Sequence, residues 1–345
     1  MNLLKPNNQT SSGQFKSMLI YGETQSGKTS LLGTLARAHH ARTGKITRLI
    51  MTDEGGTSAI DPEIQDGIIQ VVSLVADDKP QSNLMWLAKG HFLNATGVID
   101  QSKPNLDNVG IVALDSLSSA AALVMNWFVQ SGLKVGQDVV ALRTEQNLNF
   151  GNPAMAHYGA VHQFILQLTT ALNGLPVEKV IYTALESKGV DSTDGQIILG
   201  PAIVGKALTG VIPSRMNRIL HLEIVPNADK SDRSYRIYFQ PHVDKTLGRV
   251  WPANLRMPLK LRDGRQFKEA IQSVPAYAKG FLDFKTGDEL LELFDFCEGL
   301  VKVVETPTAE PVVISDPKTP IVGTVAVGSV SKATDAERVR QLLKK

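Results

Sequence analysis

A glycine-bearing segment near the amino terminus carries the residue types that hold phosphate. The segment GETQSGKTS, Gly22 to Ser30, fits the pattern G-x-x-x-x-G-K-[ST] in full. Its backbone N–H groups can point inward at phosphate oxygens, Lys28 can reach the β and γ phosphates, and Thr29 offers a hydroxyl to Mg²⁺. The predicted nucleotide contacts are Gly22, Glu23, Thr24, Gln25, Ser26, Gly27, Lys28, Thr29 and Ser30.

A carboxylate that could complete a magnesium site follows the apolar run IVAL. Asp115 ends this run, so we expect it to emerge at the carboxyl edge of a sheet, beside the phosphate loop. There it would hold the metal together with Thr29. The alternative is that Asp115 caps the helix predicted at SLSSAA, and the two roles are compatible.

Two further acids, in the sequence TDEGG, are candidates for the group that activates water. Asp53 and Glu54 end the strand that follows the phosphate-loop helix, which places them at the same sheet edge as Lys28. A carboxylate there can orient a water in line with the γ phosphate. The alternative is a solvated acidic turn. Ser116 directly follows Asp115, so no second acid is available at that position.

The elements that must position these residues alternate along the chain. Continuous apolar runs predict strands at 17–21, 46–56, 67–74, 109–116 and 177–187, and helical spacing predicts helices at 28–42, 82–93 and 158–175. This alternation favours an α/β fold with a mainly parallel sheet flanked by helices. Residues 219–225 and 233–240 resemble a hairpin, and Thr286 with Glu289 can start a helix that runs to about residue 304.

The 345 residues, 43% of them apolar, can bury one large core. We predict a flexible N-terminus over 1–15, one domain over 16–304, a flexible C-terminal tail with a Pro-rich linker over 305–332, and a short helix over 333–345. The end of the tail is either a peptide that docks on a protein partner or a frayed terminus.

Composition excludes several classes of protein. The net charge of +2 excludes a strongly basic protein but leaves a local basic groove open, and the single cysteine, Cys297, excludes a disulfide within the chain. The N-terminus lacks a signal-peptide core. The most apolar window contains Asp115 and several serines, which makes it too polar for a membrane span. We therefore expect a soluble, cytoplasmic protein without a membrane partner.

The order of these motifs is similar to that of RecA-type ATPases. It most resembles the phage-encoded RecA-core ATPases of the Sak type, which are linked to single-strand annealing and recombination, and the resemblance covers about residues 15–255. It implies a RecA-like P-loop NTPase core that uses ATP and Mg²⁺. By this resemblance Glu54 is the catalytic base and Asp115 the magnesium partner, while Glu186 or Ser187 senses the γ phosphate.

The resemblance also implies a homo-oligomer, a ring or a filament, in which one subunit inserts a cation into its neighbour's site. Lys245 and Arg249, in HVDKTLGRVWP, are the candidates for this catalytic finger. The alternative is a basic turn on the surface.

Contact with single-stranded DNA is expected from segments 140–158 and 188–212. The stretch GPAIVGKALTGVIPSR, residues 200–215, offers Lys206 and Arg215 together with glycines, and LKLRDGRQFK, residues 259–268, combines cations with Phe267. The alternative for this last stretch is a solvated charged face. The expected function is ATP hydrolysis in phage DNA recombination or annealing. The alternatives are a P-loop motor or loader ATPase that acts on a protein partner through the tail, and a small-molecule kinase.

Overall fold

A mainly parallel β-sheet runs through the middle of the molecule. The computed structural model describes residues 16–53, 57–75, 77, 79–94, 96–130, 153, 155–187, 190–191, 197–204, 206–226, 233–244, 248–255, 266–284 and 286–301. The strands are β1 Ser17–Gly22, β2 Ile46–Met51, β3 Ile69–Ser73, β4 Val109–Asp115, β5 Lys179–Glu186, β6 Val190–Asp191, β7 Ile197–Ile198, β8 Pro201–Ala202, β9 Arg218–Pro226, β10 Arg233–Tyr238, β11 His242–Asp244, β12 Arg249–Trp251 and β13 Phe281–Phe284. The helices are α1 Lys28–Thr43, α2 Asp61–Gln65, α3 Pro80–Ala88, α4 Leu117–Gln130, α5 Met155–Gly174, α6 Lys206–Ser214, α7 Phe267–Gln272 and α8 Asp288–Val301.

The strand order places the most apolar strands at the centre of the sheet. Strands β9, β1, β5, β4, β2 and β3 lie side by side in that order and run parallel. Strands β10 and β13 extend the β9 edge antiparallel, and β8 pairs with the tip of β5. Parallel strands of this kind are covered by helices on both faces, which explains why β1 and β4 are buried along their whole length and carry mostly apolar residues without alternation.

The two faces of the sheet bury two separate cores. Along β1, Leu19 and Tyr21 point into a core shared with helices α3 to α6, whereas Met18 and Ile20 point into a core shared with α1, α7 and α8. The predicted α/β class, with a mainly parallel sheet flanked by helices, is therefore confirmed.

Helix α1 starts directly after the phosphate loop and packs against the face of the sheet that carries Met18 and Ile20. The residues predicted for its inner face, Leu31, Leu32, Leu35 and Ala38, are all buried. The helix ends at Gly44, which adopts a left-handed conformation and donates its N–H to the carbonyl of His40 at 2.7 Å. This packing fixes where the first turn of α1, and with it Lys28, lies against the sheet.

A small second sheet lies beside the main one and has the order β11-β12-β7-β6. Its strands have only two or three residues each. This sheet was not predicted from the sequence. The hairpin predicted at 219–225 and 233–240 is confirmed as β9 and β10. The predicted start of the last helix is also confirmed, because Glu289 accepts hydrogen bonds from both the N–H and the hydroxyl of Thr286.

Several predicted boundaries differ from the observed ones. Helix α3 starts earlier than the predicted residue 82, because Pro80 favours the first turn of a helix, and it ends at Ala88 rather than 93. The predicted flexible segments 1–15 and 305–332 and the predicted short helix over 333–345 lie outside the described residues. No helix in the described part of the chain is long and apolar enough to cross a membrane.

Candidate nucleotide-binding site

The phosphate loop connects the end of β1 to the start of α1, at the carboxyl edge of the sheet. A side chain on Gly22 would place its Cβ 2.2 Å from the carbonyl oxygen of Leu222 on β9, so the close approach of β9 requires glycine there. Gly27 has φ +89°, and a Cβ on it would lie 2.6 Å from the ring of Tyr235. Gln25 also adopts a left-handed conformation, with φ +62°. These positions fold the loop into a tight turn, as the pattern predicted.

Lys28 lies along the inside of this loop. Its ammonium donates hydrogen bonds to the carbonyls of Gly22 at 3.0 Å and Glu23 at 2.6 Å, and to the hydroxyl of Ser26 at 3.3 Å. Burial lowers the pKa of Lys28, while the charges of Asp115, Asp53, Glu186 and Glu23 act in the opposite direction.

Asp115 ends β4 and is buried beside the start of α1. One carboxylate oxygen accepts a hydrogen bond from the hydroxyl of Thr29 at 2.7 Å, and the other accepts one from the hydroxyl of Thr183 on β5. The alternative helix-capping role belongs to its neighbour. The hydroxyl of Ser116 accepts the N–H of Ser119 at 3.1 Å, so Ser116 caps α4 and the Asp115 carboxylate is left to face the loop.

The donor set at this edge fits a hard divalent cation. The Thr29 hydroxyl and the Asp115 carboxylate are oxygen groups in direct contact, which is the chemistry that Mg²⁺ prefers. Magnesium held there would neutralise phosphate charge next to the four carboxylates that act on Lys28. These two residues would hold the metal, and Lys28 with the loop N–H groups would hold the phosphates.

The residue that follows β2 is hydrogen-bonded to the end of β4. The N–H of Thr52 donates to the carbonyl of Asp115 at 2.8 Å, and the Thr52 hydroxyl donates to the carbonyl of Ser116 at 2.8 Å. Asp53 follows, close enough to Lys28 for its charge to affect the lysine pKa. Glu54, the predicted base, is the next residue and lies outside the described residues, so its position stays a prediction.

The two residues predicted to sense the γ phosphate lie at the tip of β5 and have different partners. Ser187 binds backbone: its hydroxyl accepts the N–H of Gly200 at 3.1 Å. Glu186 lies 2.8 Å from Nε2 of His221, and both side chains are almost fully buried. The charge of Glu186 also acts to raise the pKa of Lys28, although burial lowers that pKa more strongly. The γ-phosphate sensor role of Glu186 or Ser187 stays a prediction.

The predicted finger and DNA-binding residues are only partly described. Arg249 is exposed on β12, in the small sheet, whereas Lys245 lies outside the described residues. Arg215 donates to the hydroxyl of Thr170 on α5 at 3.1 Å. Most of 140–158 and of 259–268 lies outside the described residues, as does part of 188–212. No DNA-binding surface can be assembled from what remains.

Two residues of the site, Thr183 and His221, were not predicted from the sequence. Thr183 is a polar residue inside the apolar strand VIYTAL, and His221 interrupts ILHLEIV in the same way. A buried polar residue within an apolar strand is a signal that a partner exists, because an unpaired group would cost free energy. The signal does not identify the partner, which in both cases lies on another strand.

Comparisons with known proteins leave the fold and the site to be argued from the geometry of the chain alone. No protein-family model matches the chain, and no curated protein matches it. Among solved structures, it is similar to a KaiC-like protein from the hyperthermophilic archaeon Pyrococcus horikoshii OT3, with 11% identity and a TM-score of 0.36 over 65% of this chain and 77% of that chain. This similarity is too low to support an argument about function. The strand order and the contact between Thr29 and Asp115 show a mainly parallel sheet with a phosphate-loop pattern and a carboxylate at the same edge.

Proposed function

We propose that this protein binds ATP with Mg²⁺ and hydrolyses it. The observation that carries the proposal is the contact between Thr29 and Asp115 beside Lys28, because it joins a phosphate loop to a metal-binding carboxylate across the sheet. Lys28 and the loop N–H groups would stabilise the charge that develops on the transferring phosphate. Glu54 would orient the attacking water, and Lys245 and Arg249 of a neighbouring subunit would complete the site.

We further propose that the hydrolysis serves phage DNA recombination or single-strand annealing. The support is the order of motifs, which resembles the phage Sak-type ATPases, and the basic segment 259–268 with its aromatic residue. Homo-oligomers assembled on a single strand would bring each finger to a neighbouring site.

The test is ATP hydrolysis measured with and without single-stranded DNA, across a salt series, beside the variant Lys28→Ala. We expect the strand to stimulate hydrolysis, the stimulation to fade with rising salt, and Lys28→Ala to be inactive. Hydrolysis that ignores DNA would reject the recombination role and favour a motor or loader that acts on a protein partner. Hydrolysis unchanged by Lys28→Ala would reject the ATP site itself.

A further inference from the structure

A group of aromatic rings lies beside Glu186, outside the phosphate loop. It consists of Tyr21, His221, Tyr238, His242 and Trp251, which we call the ring cluster. The ring centroid of His221 lies 5.0 Å from those of Tyr21 and His242 and 5.7 Å from that of Trp251. The rings of His242 and Trp251 are almost parallel, 4.8 Å apart. The cluster therefore connects the main sheet, through β1 and β9, to β11 and β12 of the small sheet.

The position of His221 links this cluster to the phosphate loop. His221 on β9 is the register partner of Tyr21, the residue that precedes Gly22 at the start of the loop. Glu186 lies on β5, the strand on the other side of β1. The hydrogen bond between His221 and Glu186, 2.8 Å long, thus spans β1 at the point where the loop begins.

The charge of Glu186 acts both on the phosphate loop and on the ring cluster. Its charge acts on Lys28 in the loop and on Tyr21 and His242 in the ring cluster. A γ phosphate next to Lys28 would bring negative charge toward this buried carboxylate, and like charges in a low-dielectric site repel strongly. A γ phosphate bound there would therefore act on the carboxylate that is hydrogen-bonded to His221.

The ring cluster has hydrogen-bonding capacity that its present arrangement does not use. Nδ1 of His221, Nδ1 of His242 and Nε1 of Trp251 are buried, and none of them has a hydrogen-bond partner among the residues that the structure describes. Buried polar atoms without partners cost free energy, so a rearrangement that gives them hydrogen-bond partners would be stabilised by the removal of that cost. Burial also lowers the pKa of His242 to about 4, so this ring is neutral and its stacking does not depend on a charge near neutral pH.

We propose that Glu186 and His221 are positioning residues that report the γ phosphate to strands β11 and β12 through the ring cluster. This inference rests on the proposed ATP site. ATP, but not ADP, shifts Glu186, the shift changes its bond to His221, and the rings of His242 and Trp251 follow. Of the two strands that move, β12 carries the exposed Arg249, and β11 ends at Asp244, immediately before Lys245 in the sequence. The finger predicted for the neighbouring subunit would then be placed according to the nucleotide bound.

Trp251 provides a direct reporter. The chain has three tryptophans, so Trp86→Phe with Trp127→Phe leaves Trp251 alone. We would record its emission with Mg²⁺ and either a non-hydrolysable ATP analogue or ADP, and measure the affinity for each nucleotide separately by calorimetry. We expect the analogue to change the emission and ADP to leave it unchanged.

The variants assign the response to the proposed residues. His221→Phe keeps a ring but removes the bond to Glu186, and we expect it to abolish the emission change and to lower the preference for the analogue over ADP by roughly 2- to 30-fold. His221→Gln keeps an N–H donor and should restore part of the response, which a merely structural role would not require. If His221→Phe does not fold, Glu186→Gln, which removes the charge, carries the same test.

A matched control is present elsewhere in the chain. Trp86 on α3 lies next to His91 in the loop that follows this helix, with ring centroids 4.9 Å apart and the two rings edge to face at 81°. With Trp86 as the sole tryptophan, the analogue should not change the emission.

The outcomes separate the two proposals. Analogue binding without any change at Trp251, or a change that persists in both His221→Phe and Glu186→Gln, would overturn the relay and leave the ATP site intact. Failure to bind either nucleotide would overturn the ATP site and the relay together.

Discussion

Asp115 is the residue through which β4, β5 and the phosphate loop meet. Thr29 and Thr183 each donate a hydrogen bond to one of its oxygens, which fixes the orientation of the carboxylate without the help of a metal. A pre-oriented ligand group does not have to be ordered when Mg²⁺ binds, so less of the binding free energy is lost.

We predict that Thr183→Val weakens magnesium-dependent turnover. The substitution leaves one buried oxygen of Asp115 without its donor, and hydrogen bonds to charged groups contribute about 1.5–3 kcal/mol, so roughly a 10- to 150-fold loss is expected. The measurement is turnover as a function of Mg²⁺ concentration. Thr183→Ser keeps the hydroxyl and serves as the control. Equal activity of the valine variant would show that Thr183 is structural only.

Glu54→Gln should separate binding from chemistry. The amide keeps the shape of the side chain but cannot accept a proton, so ATP binding should stay and turnover should fall roughly 10²- to 10⁴-fold. Calorimetry and single-turnover hydrolysis check the two halves of this prediction. Unchanged turnover would remove Glu54 from the mechanism and leave Asp53, its described neighbour, as the candidate.

The residues of the site were predictable from sequence only where their pattern is local. Lys28 and Thr29 belong to one continuous motif, and Asp115 follows an apolar run that marks its own strand. Thr183 and His221 could not be assigned, because their partners lie 68 and 35 residues away along the chain. Nothing in a single sequence states which strand pairs with which.

At the scale of elements, α1 is held between the sheet and α8, and the contact with α8 depends on a glycine. A Cβ on Gly287, just before α8, would lie 2.5 Å from the backbone carbonyl oxygen of Thr34, which cannot move away as a side chain can. The start of α8 can therefore approach α1 only because this position has no side chain.

Gly287→Ala should destabilise the protein by about 1–3 kcal/mol, because the added methyl group must push two backbones apart. Denaturant unfolding measures the change. Gly159→Ala, inside α5 and with nothing within 4 Å of the added Cβ, is the control and should stabilise by about 0.5–1 kcal/mol. Equal effects from the two substitutions would contradict the close approach of α8.

The contact between α1 and the edge of β4 predicts a pH dependence. His39 is buried against Gly110 and lies 2.8 Å from the carboxylate of Glu178. Burial lowers the pKa of His39 below its ordinary value of 6.5, more than the bond to Glu178 raises it. The unfolded chain therefore binds more protons at mildly acidic pH, and the free energy of unfolding falls as the pH drops below 6.5.

His39→Gln should flatten this dependence, since glutamine cannot take up the proton. Unfolding curves collected between mildly acidic and neutral pH check the slope. A slope that is the same in both proteins would show that His39 does not titrate differently in the folded and unfolded states.

The elements differ in how well the sequence predicted them. Strands β1, β4 and β5 and helix α1 are long and apolar enough for their periodicity to be recognised. The two-residue strands β6, β7 and β8 have no periodicity to recognise, and they exist because neighbouring segments supply hydrogen-bond partners. Their positions are a result of the tertiary fold and not of local preference.

At the scale of the whole molecule, the predicted trans-acting finger would require two subunits to form each complete ATP site. Arg249 is exposed on its own subunit, as a residue that reaches into a neighbour must be. A single chain would then hold nucleotide but hydrolyse it slowly.

Mixing variants tests this prediction. Arg249→Ala should bind ATP normally and lose about 10³-fold or more in turnover, because it cannot stabilise its neighbour's transition state. Lys28→Ala should be inactive because it cannot hold the phosphates. A mixture of the two inactive proteins should regain activity at sites where an intact loop meets an intact finger. A mixture that stays inactive, or an active Arg249→Ala variant, would reject the arrangement.

The position of β1 between β5 and β9 also determines when the phosphate loop becomes usable during synthesis. Ser17 pairs with Val180 and Met18 with Arg218, so both neighbours of β1 are translated long after it. A nascent chain that has emerged through β4 already contains the loop and Asp115, but its first strand has no neighbour to pair with. Non-local pairing of this kind slows folding and leaves apolar strands exposed to aggregation. The phosphate loop therefore reaches its native surroundings only after β9 has been synthesised, because β9 is one of the two strands that hold β1.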